Sequence, residues 1–343
     1  MAFVRLALVA LLFAVVALPT SAAAQHRHVL NLYTGRHYDT DQALYDLYSS
    51  FTGVKINVIQ GEADQLIQRI ASEGRNSPAD VLLTVDAGRL WRAEQLGLCQ
   101  PITSDFLTSR IPAYLRHPDG IWFGFTKRAR VIVYAKDRVS PSELSTYEDL
   151  AHPKWQGRLL TRSSSNVYNL SLTGSILAVS GEQATEDWAR GIARNLARPP
   201  QGGDTDQLKA VAAGQGDLAI ANRYYFARLL ASRDPEDQAV AAKLDIFFPN
   251  QDDRGTHGNI SGGCVTANAP NRDEAIRFLE FLAGDGAQAI FSQGNQEYPV
   301  VAGQALSPIL ERWGPFREDT ISAAVFGANN PRALIVMNRA GWR

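Results

Sequence analysis

Apolar strand-like runs alternate with amphipathic helical segments near the start of the chain, and this alternation limits the possible folds most strongly. The runs begin at residues 28, 55 and 79 and read HVLNLYT, KINVIQG and ADVLLTVD. Between the first two, apolar residues recur at helical spacing, at Leu44, Leu47, Tyr48 and Phe51. A strand–helix–strand order of this kind predicts an α/β fold with a parallel sheet. The chain has 343 residues, a length typical of two packed domains.

Composition excludes several classes of function. The 35 acidic and 34 basic residues nearly balance, whereas a nucleic-acid-binding protein normally carries a basic excess. Two cysteines are too few for a disulfide scaffold or a thiolate zinc cluster. The motifs of serine hydrolases, phosphate-binding loops and zinc proteases are absent, so the sequence predicts a protein that is not an enzyme.

Residues 1–24 have the pattern of a cleaved signal peptide. Arg5 precedes an apolar stretch from Leu6 to Pro19, and small residues follow at Ala22 and Ala24. No later segment approaches membrane-spanning length. We therefore expect a periplasmic protein in an oxidising compartment, where two cysteines can pair.

The pairing of Cys99 with Cys264 stays open at this point. One interpretation is a disulfide that closes a long loop, and the other is two buried thiols.

The later part of the chain predicts a second α/β unit inserted into the first. Lobe 1 is expected to comprise residues 25–127 and 262–343, and lobe 2 residues 128–261. The chain should cross between the lobes near Phe123–Val133 and near His257–Val265. A protein of this kind binds its ligand in the cleft between its lobes.

Tyrosines follow several of the predicted strands. His37 and Tyr38 come after the first strand, Tyr168 lies at a polar helix start, and Tyr224 and Tyr225 follow the strand LAIA. In α/β folds the strand ends face the ligand crevice, which favours a binding role. The alternative is structural, because buried aromatic rings are most often core residues.

Five tracts together resemble the periplasmic ferric-ion-binding proteins, which are the solute-binding components of iron ABC importers. They read NLYTGRHYDTDQALYDLYSSFTG, TKRARVIVY, SSSNVYNLSL, GDLAIANRYYFARL and GTHGNISGG. The resemblance implies a two-lobed periplasmic-binding-protein fold of type II and a monomer that delivers Fe³⁺ to an inner-membrane permease and its ATPase. It assigns Tyr168, Tyr224 and Tyr225 as lobe 2 ligands, and Tyr38 with the adjacent His37 as lobe 1 ligands. Carbonate or water completes the shell in some relatives.

The chemistry of the cation agrees with this assignment. Ferric ion is a small, hard cation that prefers anionic oxygen ligands. Three phenolates would cancel its charge, and a fourth would leave an excess of −1. Arg36, Arg128 and Arg223 lie beside the tyrosine motifs, and we expect them to offset this excess or to hold a carbonate. The alternative for each is a solvated surface arginine.

Two other functions remain open from the sequence. A binding protein of the same fold could carry Fe²⁺ or an organic cation such as a polyamine. An exported hydrolase is disfavoured because no nucleophile–base arrangement is visible.

Overall fold

The computed structural model describes residues 29–36 and 38–343, so the predicted signal peptide and His37 lie outside the described residues. The strands in these ranges are β1 Val29–Thr34, β2 Lys55–Gln60, β3 Val81–Val85, β4 Phe123–Ala135, β5 Leu159–Leu160, β6 Leu218–Asn222, β7 Leu244–Phe247, β8 Thr256–Val265, β9 Tyr298–Pro299 and β10 Glu318–Asp319. The α-helices are α1 Asp41–Thr52, α2 Ala63–Glu73, α3 Ala87–Gln95, α4 Asp105–Arg110, α5 Val167–Asn195, α6 Asp204–Ala212, α7 Arg223–Ala231, α8 Pro235–Lys243, α9 Arg272–Leu282, α10 Asp285–Asn295, α11 Pro308–Glu311, α12 Ala323–Ala328 and α13 Asn330–Arg339. Among the described helices, none is both long and apolar enough to span a bilayer.

The first half of the molecule is built on the parallel strands that the sequence predicts. β1 pairs in parallel with both β2 and β3, and β3 pairs antiparallel with β8. All five residues of β3 are buried, as expected for a strand covered by helices on both faces of its sheet.

The second half has its own strands around β6. β6 pairs in parallel with β5 and antiparallel with the last residues of β4, and β7 pairs with the same end of β4. The strands lie in the order β2-β1-β3-β8-β4-β6-β5, with β7 and β9 beside β4 and β10 beside β8.

Strand β4 belongs to both halves. Its residues 123–129 pair with β8, whereas residues 130–134 pair with β6. The pairing with β8 shifts register between Gly124 and Thr126, which locally bends the ladder. These two strands occupy the predicted crossings near Phe123–Val133 and His257–Val265.

Three large apolar cores lie around this sheet within the described residues. One contains Leu32 and Phe278, a second contains Trp155 and Trp188, and a third contains Val131. The C-terminal residues Ala333, Met337 and Trp342 belong to the second core, and Tyr298 and Leu310 belong to the third. The lobe boundaries remain a prediction, but parts of residues 262–343 therefore share a core with lobe 2 segments.

The run α5 consists of two helical segments, because the backbone at Gly181 is not helical, with φ at 75° and ψ at 173°. The helical patterns of the sequence, at 169–179 and 181–196, predict this break at the same place. Glycine tolerates this left-handed conformation without steric cost.

Cys99 and Cys264 form a disulfide, which settles the alternative that the sequence leaves open. Their Cα atoms are 5.7 Å apart, although 165 positions separate them in the chain. The bond ties the segment after α3 to strand β8.

Strand β8 can approach its neighbouring strands closely because two successive positions in it are glycines. A Cβ atom on Gly262 would lie 2.4 Å from the carbonyl oxygen of Phe123, and one on Gly263 would lie 2.7 Å from that of Leu82. Both contacts are with backbone, which cannot move without separating the strands.

We therefore expect Gly262→Ala to lower the free energy of unfolding by about 1–3 kcal/mol, as overpacking does in other cores. Urea denaturation of the metal-free protein measures this effect. Gly286→Ala is the matched control, because its nearest neighbour would be Leu47 at an ordinary 3.4 Å and the position lies in helix α10. An equal loss of stability in the two variants would contradict the close-approach explanation.

Candidate functional site

Four tyrosines from three distant parts of the chain meet in one place. Tyr38, Tyr168 and Tyr224 form a buried group with Val85, and Tyr225 packs against it. We call these four tyrosines the tyrosine cluster. The sequence predicts all four as site residues. Its fifth predicted ligand, His37, lies outside the described residues.

Each tyrosine of the cluster occupies the start of a helix or the connection before one. Tyr168 lies in the first turn of α5, where the side chain of Asn166 accepts a hydrogen bond from its backbone N–H at 3.1 Å. Tyr224 and Tyr225 lie in the first turn of α7, directly after β6. Helix N-termini carry partial positive charge, which favours anionic groups such as phenolates.

The rings of the cluster lie close to one another. The ring centroids of Tyr38 and Tyr224 are 5.8 Å apart, with the rings edge to face. Those of Tyr224 and Tyr225 are 4.2 Å apart. The Tyr224 hydroxyl is buried and makes no hydrogen bond of good geometry among the described residues, although it is close enough to the Tyr225 hydroxyl to interact with it. A buried polar group without such a hydrogen bond is uncommon and calls for a ligand or water.

Two of the three predicted arginines lie on the tyrosine cluster. The guanidinium carbon of Arg36 is 4.5 Å from the ring centroid of Tyr38, and that of Arg128 is 5.5 Å from the ring centroid of Tyr168. Arg223 is directed elsewhere: its guanidinium lies 4.3 Å from the ring centroid of Tyr298 and 5.2 Å from that of Trp313.

Three further arginines, which the sequence analysis missed, contact the cluster. Arg130 and Arg162 lie over Tyr168, at 5.7 and 5.3 Å, and Arg228 lies over Tyr38 and Tyr224, at 4.7 and 5.1 Å. Two of them had a sequence signal. Arg130 follows Arg128 by two residues and so shares its strand face, and Arg228 follows Tyr224 by one helical turn.

A cavity of about 580 Å³ opens beside the tyrosine cluster. Gly61, Glu62 and Arg89 line it from one side, and Arg162 and Asn166 from the other, with Tyr168 and Tyr225 in its wall. Among the residues that the structure describes, no group of three or more His, Cys, Asp or Glu side chains is arranged to hold a metal ion.

Comparison with known proteins identifies the family. Residues 43–317 match the model of the family described as bacterial extracellular solute-binding protein. Iron uptake protein A2 of Synechocystis sp. is 54% identical over 95% of this chain and 93% of its own length. The chain belongs to the bacterial extracellular solute-binding proteins.

Solved structures give the same result. The structure described as Trichodesmium FutA in complex with iron and citrate ligands has a TM-score of 0.90 at 58% identity, covering 92% of this chain and 100% of that one. A ferric binding protein from Campylobacter jejuni has a TM-score of 0.87 at 40% identity, covering 92% and 100%. The predicted resemblance to the periplasmic ferric-ion-binding proteins and the predicted two-lobed fold are confirmed. These relatives are binding and uptake proteins, which also confirms that the chain is not an enzyme.

Burial controls the protonation of the tyrosine cluster in this solute-binding protein. It raises the pKa of Tyr38, Tyr224 and Tyr225 well above the ordinary value. The carboxylate of Glu297 raises the pKa of Tyr38 further, against the opposing effect of Arg128 and Arg36. Without a bound cation these three phenols are therefore neutral at physiological pH.

The charges next to the cluster persist despite burial. Burial alone would lower the pKa of Arg128, but the negative charges that Tyr38, Tyr168 and Tyr224 carry once ionised, together with Glu297, outweigh burial and raise that pKa. Burial likewise disfavours ionised Glu297, but Arg36 and Arg128 hold the pKa of its carboxyl below the ordinary value. Glu297 is a site residue that sequence analysis missed, because nothing near it in the chain marks it.

The buried hydroxyl of Tyr224 leads to a stability prediction. Tyr224→Phe removes a polar atom that makes no hydrogen bond of good geometry among the described residues, so we expect stability to stay equal or to rise by up to about 1 kcal/mol. Tyr147→Phe is the matched control, since its buried hydroxyl donates to the Arg130 carbonyl and accepts from the His257 N–H. That variant should lose about 1–3 kcal/mol.

Urea denaturation of both metal-free variants makes the comparison. A loss for Tyr224→Phe as large as that for Tyr147→Phe would show that the Tyr224 hydroxyl is bonded within the empty site.

Proposed function

We propose that this protein captures Fe³⁺ in the periplasm through the phenolate oxygens of Tyr38, Tyr168, Tyr224 and Tyr225 and delivers it to an ABC importer. The observation that carries the proposal is the convergence of these four tyrosines on one buried point, ringed by arginines. Ferric ion suits this donor set because it is hard and highly charged.

The charges of the site favour an inorganic trivalent cation over an organic one. Five arginines lie over the rings of the cluster and would repel any cation while the phenols are neutral. A polyamine cannot ionise the phenols, whereas a coordinated metal ion can and so creates the negative charge that offsets this repulsion. Four phenolates with Fe³⁺ carry a net charge of −1, which Arg128 is placed to offset. Its Nη1 has no hydrogen-bond partner among the described residues, and its Nε lies 3.9 Å from Glu297. A divalent Fe²⁺ ion would leave a larger excess of negative charge.

An accompanying anion would occupy the cavity beside Tyr168 and Tyr225. Arg162 and Arg89 supply positive charge there, and the volume of about 580 Å³ exceeds the needs of a carbonate. The Trichodesmium relative is described with iron and citrate, so a carboxylate ligand is consistent with this space. Carbonate itself remains a prediction.

Delivery rests on the family. Solute-binding proteins of this kind pass their cargo to a membrane permease driven by an ATPase, and we propose the same partners here. Ligands from both lobes would favour the closed form, which the permease then distinguishes from the open one. The monomeric state and the cleaved signal peptide remain predictions.

Titration of the metal-free mature protein with ferric nitrilotriacetate tests the ligands. Phenolate coordination to Fe³⁺ produces a visible charge-transfer band, and we expect it to saturate at one equivalent. Changing Tyr168, Tyr224 or Tyr225 to Phe should shift or abolish the band and weaken binding by more than about tenfold, because even outer-shell changes cost 10–100-fold at metal sites.

Tyr33→Phe is the control, since this buried tyrosine donates to Glu73 and belongs to another core. It should leave the band unchanged. A folded wild-type protein without any band would refute the proposal, and a band that survives in all three ligand variants would refute the ligand assignment.

Iron binding should also release protons. The raised pKa values mean that Tyr38, Tyr224 and Tyr225 hold their protons in the empty site, and a coordinating phenol must give its proton up. Binding should therefore weaken as the pH falls, with at least three protons released per iron. Calorimetry in buffers of different ionisation enthalpy measures this number, and a value near zero would contradict coordination by these phenols.

A further inference from the structure

Glu297 is a buried carboxylate at which several parts of the site meet. It lies between α10 and β9 and is fully buried. Its Oε2 accepts a hydrogen bond from Arg36 Nη2 at 2.9 Å. Its Oε1 accepts hydrogen bonds from three hydroxyl groups, those of Thr126 at 2.9 Å, Ser261 at 3.0 Å and Tyr38 at 3.4 Å.

Two of these hydroxyls come from one cross-strand pair. Thr126 of β4 and Ser261 of β8 are direct partners in the strand register, immediately after the shift at Gly124. One carboxylate oxygen therefore contacts both crossing strands at the point where their pairing is irregular, and it contacts Tyr38 as well.

The backbone beside Glu297 is tied to the second half of the molecule. Gln296 adopts a left-handed conformation, with φ at 58°, and its carbonyl accepts a hydrogen bond from Arg223 Nη2 at 2.5 Å. Arg223 directly precedes Tyr224. A non-glycine residue held in this conformation requires firm support from its surroundings.

A buried carboxylate destabilises the fold unless hydrogen-bond donors and positive charges offset the loss of its hydration. The groups that pair with it are therefore held in fixed positions. We propose that Glu297 is a positioning residue that couples Tyr38 to the crossing strands β4 and β8, so that the angle between the lobes decides whether Tyr38 reaches the bound metal. The inference rests on the proposed function, because it concerns the ligand that lobe 1 contributes.

Tyr38 gives up its proton, and with it the hydrogen bond to Glu297, when it binds the metal. Arg36 then carries the coupling, because it donates to Glu297 and lies 4.5 Å from the ring centroid of Tyr38. Removing Glu297 releases Arg36 and should therefore resemble the loss of the Tyr38 hydroxyl.

We expect Glu297→Ala to shift the ferric charge-transfer band in the same direction as Tyr38→Phe and to weaken iron binding by about 10–100-fold, as outer-shell changes do. Tyr168, Tyr224 and Tyr225 should still bind iron in both variants. The double variant should be no weaker than the stronger single one, because the two changes remove the same contribution.

A second variant keeps the charge and removes only the link to the strands. Thr126→Val combined with Ser261→Ala leaves Glu297, Arg36 and Tyr38 in place, and we expect the same band shift at a smaller loss of stability. This variant also decides the question if Glu297→Ala does not fold. Asp80→Asn is the control, because this buried carboxylate accepts from the backbone N–H groups of Asn31 and Asn271 at the far end of β3. It should leave the band unchanged.

The measurements are the visible spectrum and the iron affinity of each folded variant. A wild-type band position and affinity in both Glu297→Ala and the Thr126/Ser261 variant would overturn the inference, as would multiplied losses of affinity in the double variant with Tyr38→Phe. These outcomes leave the proposed function intact, since the wild-type protein still shows its band. A wild-type protein without the band would overturn both.

Discussion

The pairing of β4 with β8 is the constraint on which the rest of the structure depends. These strands join the part of the sheet that contains β1 and β3 to the part that contains β6, and β4 supports β6 and β7 with its last residues. Tyr38 follows β1 in one part, and Tyr224 and Tyr225 follow β6 in the other, so the two strands set the distance between them. Glycines at positions 262 and 263 allow this pairing because any side chain there would meet neighbouring backbone.

The electrostatics of the site follow from burial. Phenols are neutral in this environment until a cation replaces their protons, so the empty site avoids the repulsion of several adjacent negative charges. The surrounding arginines are permanently charged, and the phenols offer them no negative partner while the cluster is neutral. They become favourable partners once the phenols are ionised, and this favours a cation that can ionise them.

Much of this arrangement could be predicted from the sequence, because its signals are local. Strand ends in α/β folds converge, so tyrosines that follow two strands and begin a third helix are predicted to lie near one crevice, and the structure brings them together. Arg223 shows where this reasoning fails: it adjoins Tyr224 in the chain, but successive side chains on a helix point about 100° apart. Its guanidinium therefore contacts Tyr298 and Trp313. Glu297 could not be predicted at all, since its partners lie as far as 261 positions away and only the folded sheet brings them together.

Strands β1 and β3 pair within a part of the sheet that is completed by β8, a strand from a distant part of the chain. This affects the order in which the chain folds. β3 lies between β1 and β8, and the Cys99–Cys264 disulfide joins segments 165 residues apart. The strands β4, β5, β6 and β7, in contrast, lie within one uninterrupted stretch of chain. Contacts between distant residues form slowly, because a long loop must close before they are made. The later half of the molecule can thus assemble before β8 joins the earlier half, so the tyrosine cluster is among the last features to form. A chain interrupted before residue 256 would expose β3 and the edge of β4, and would be the species most prone to aggregate.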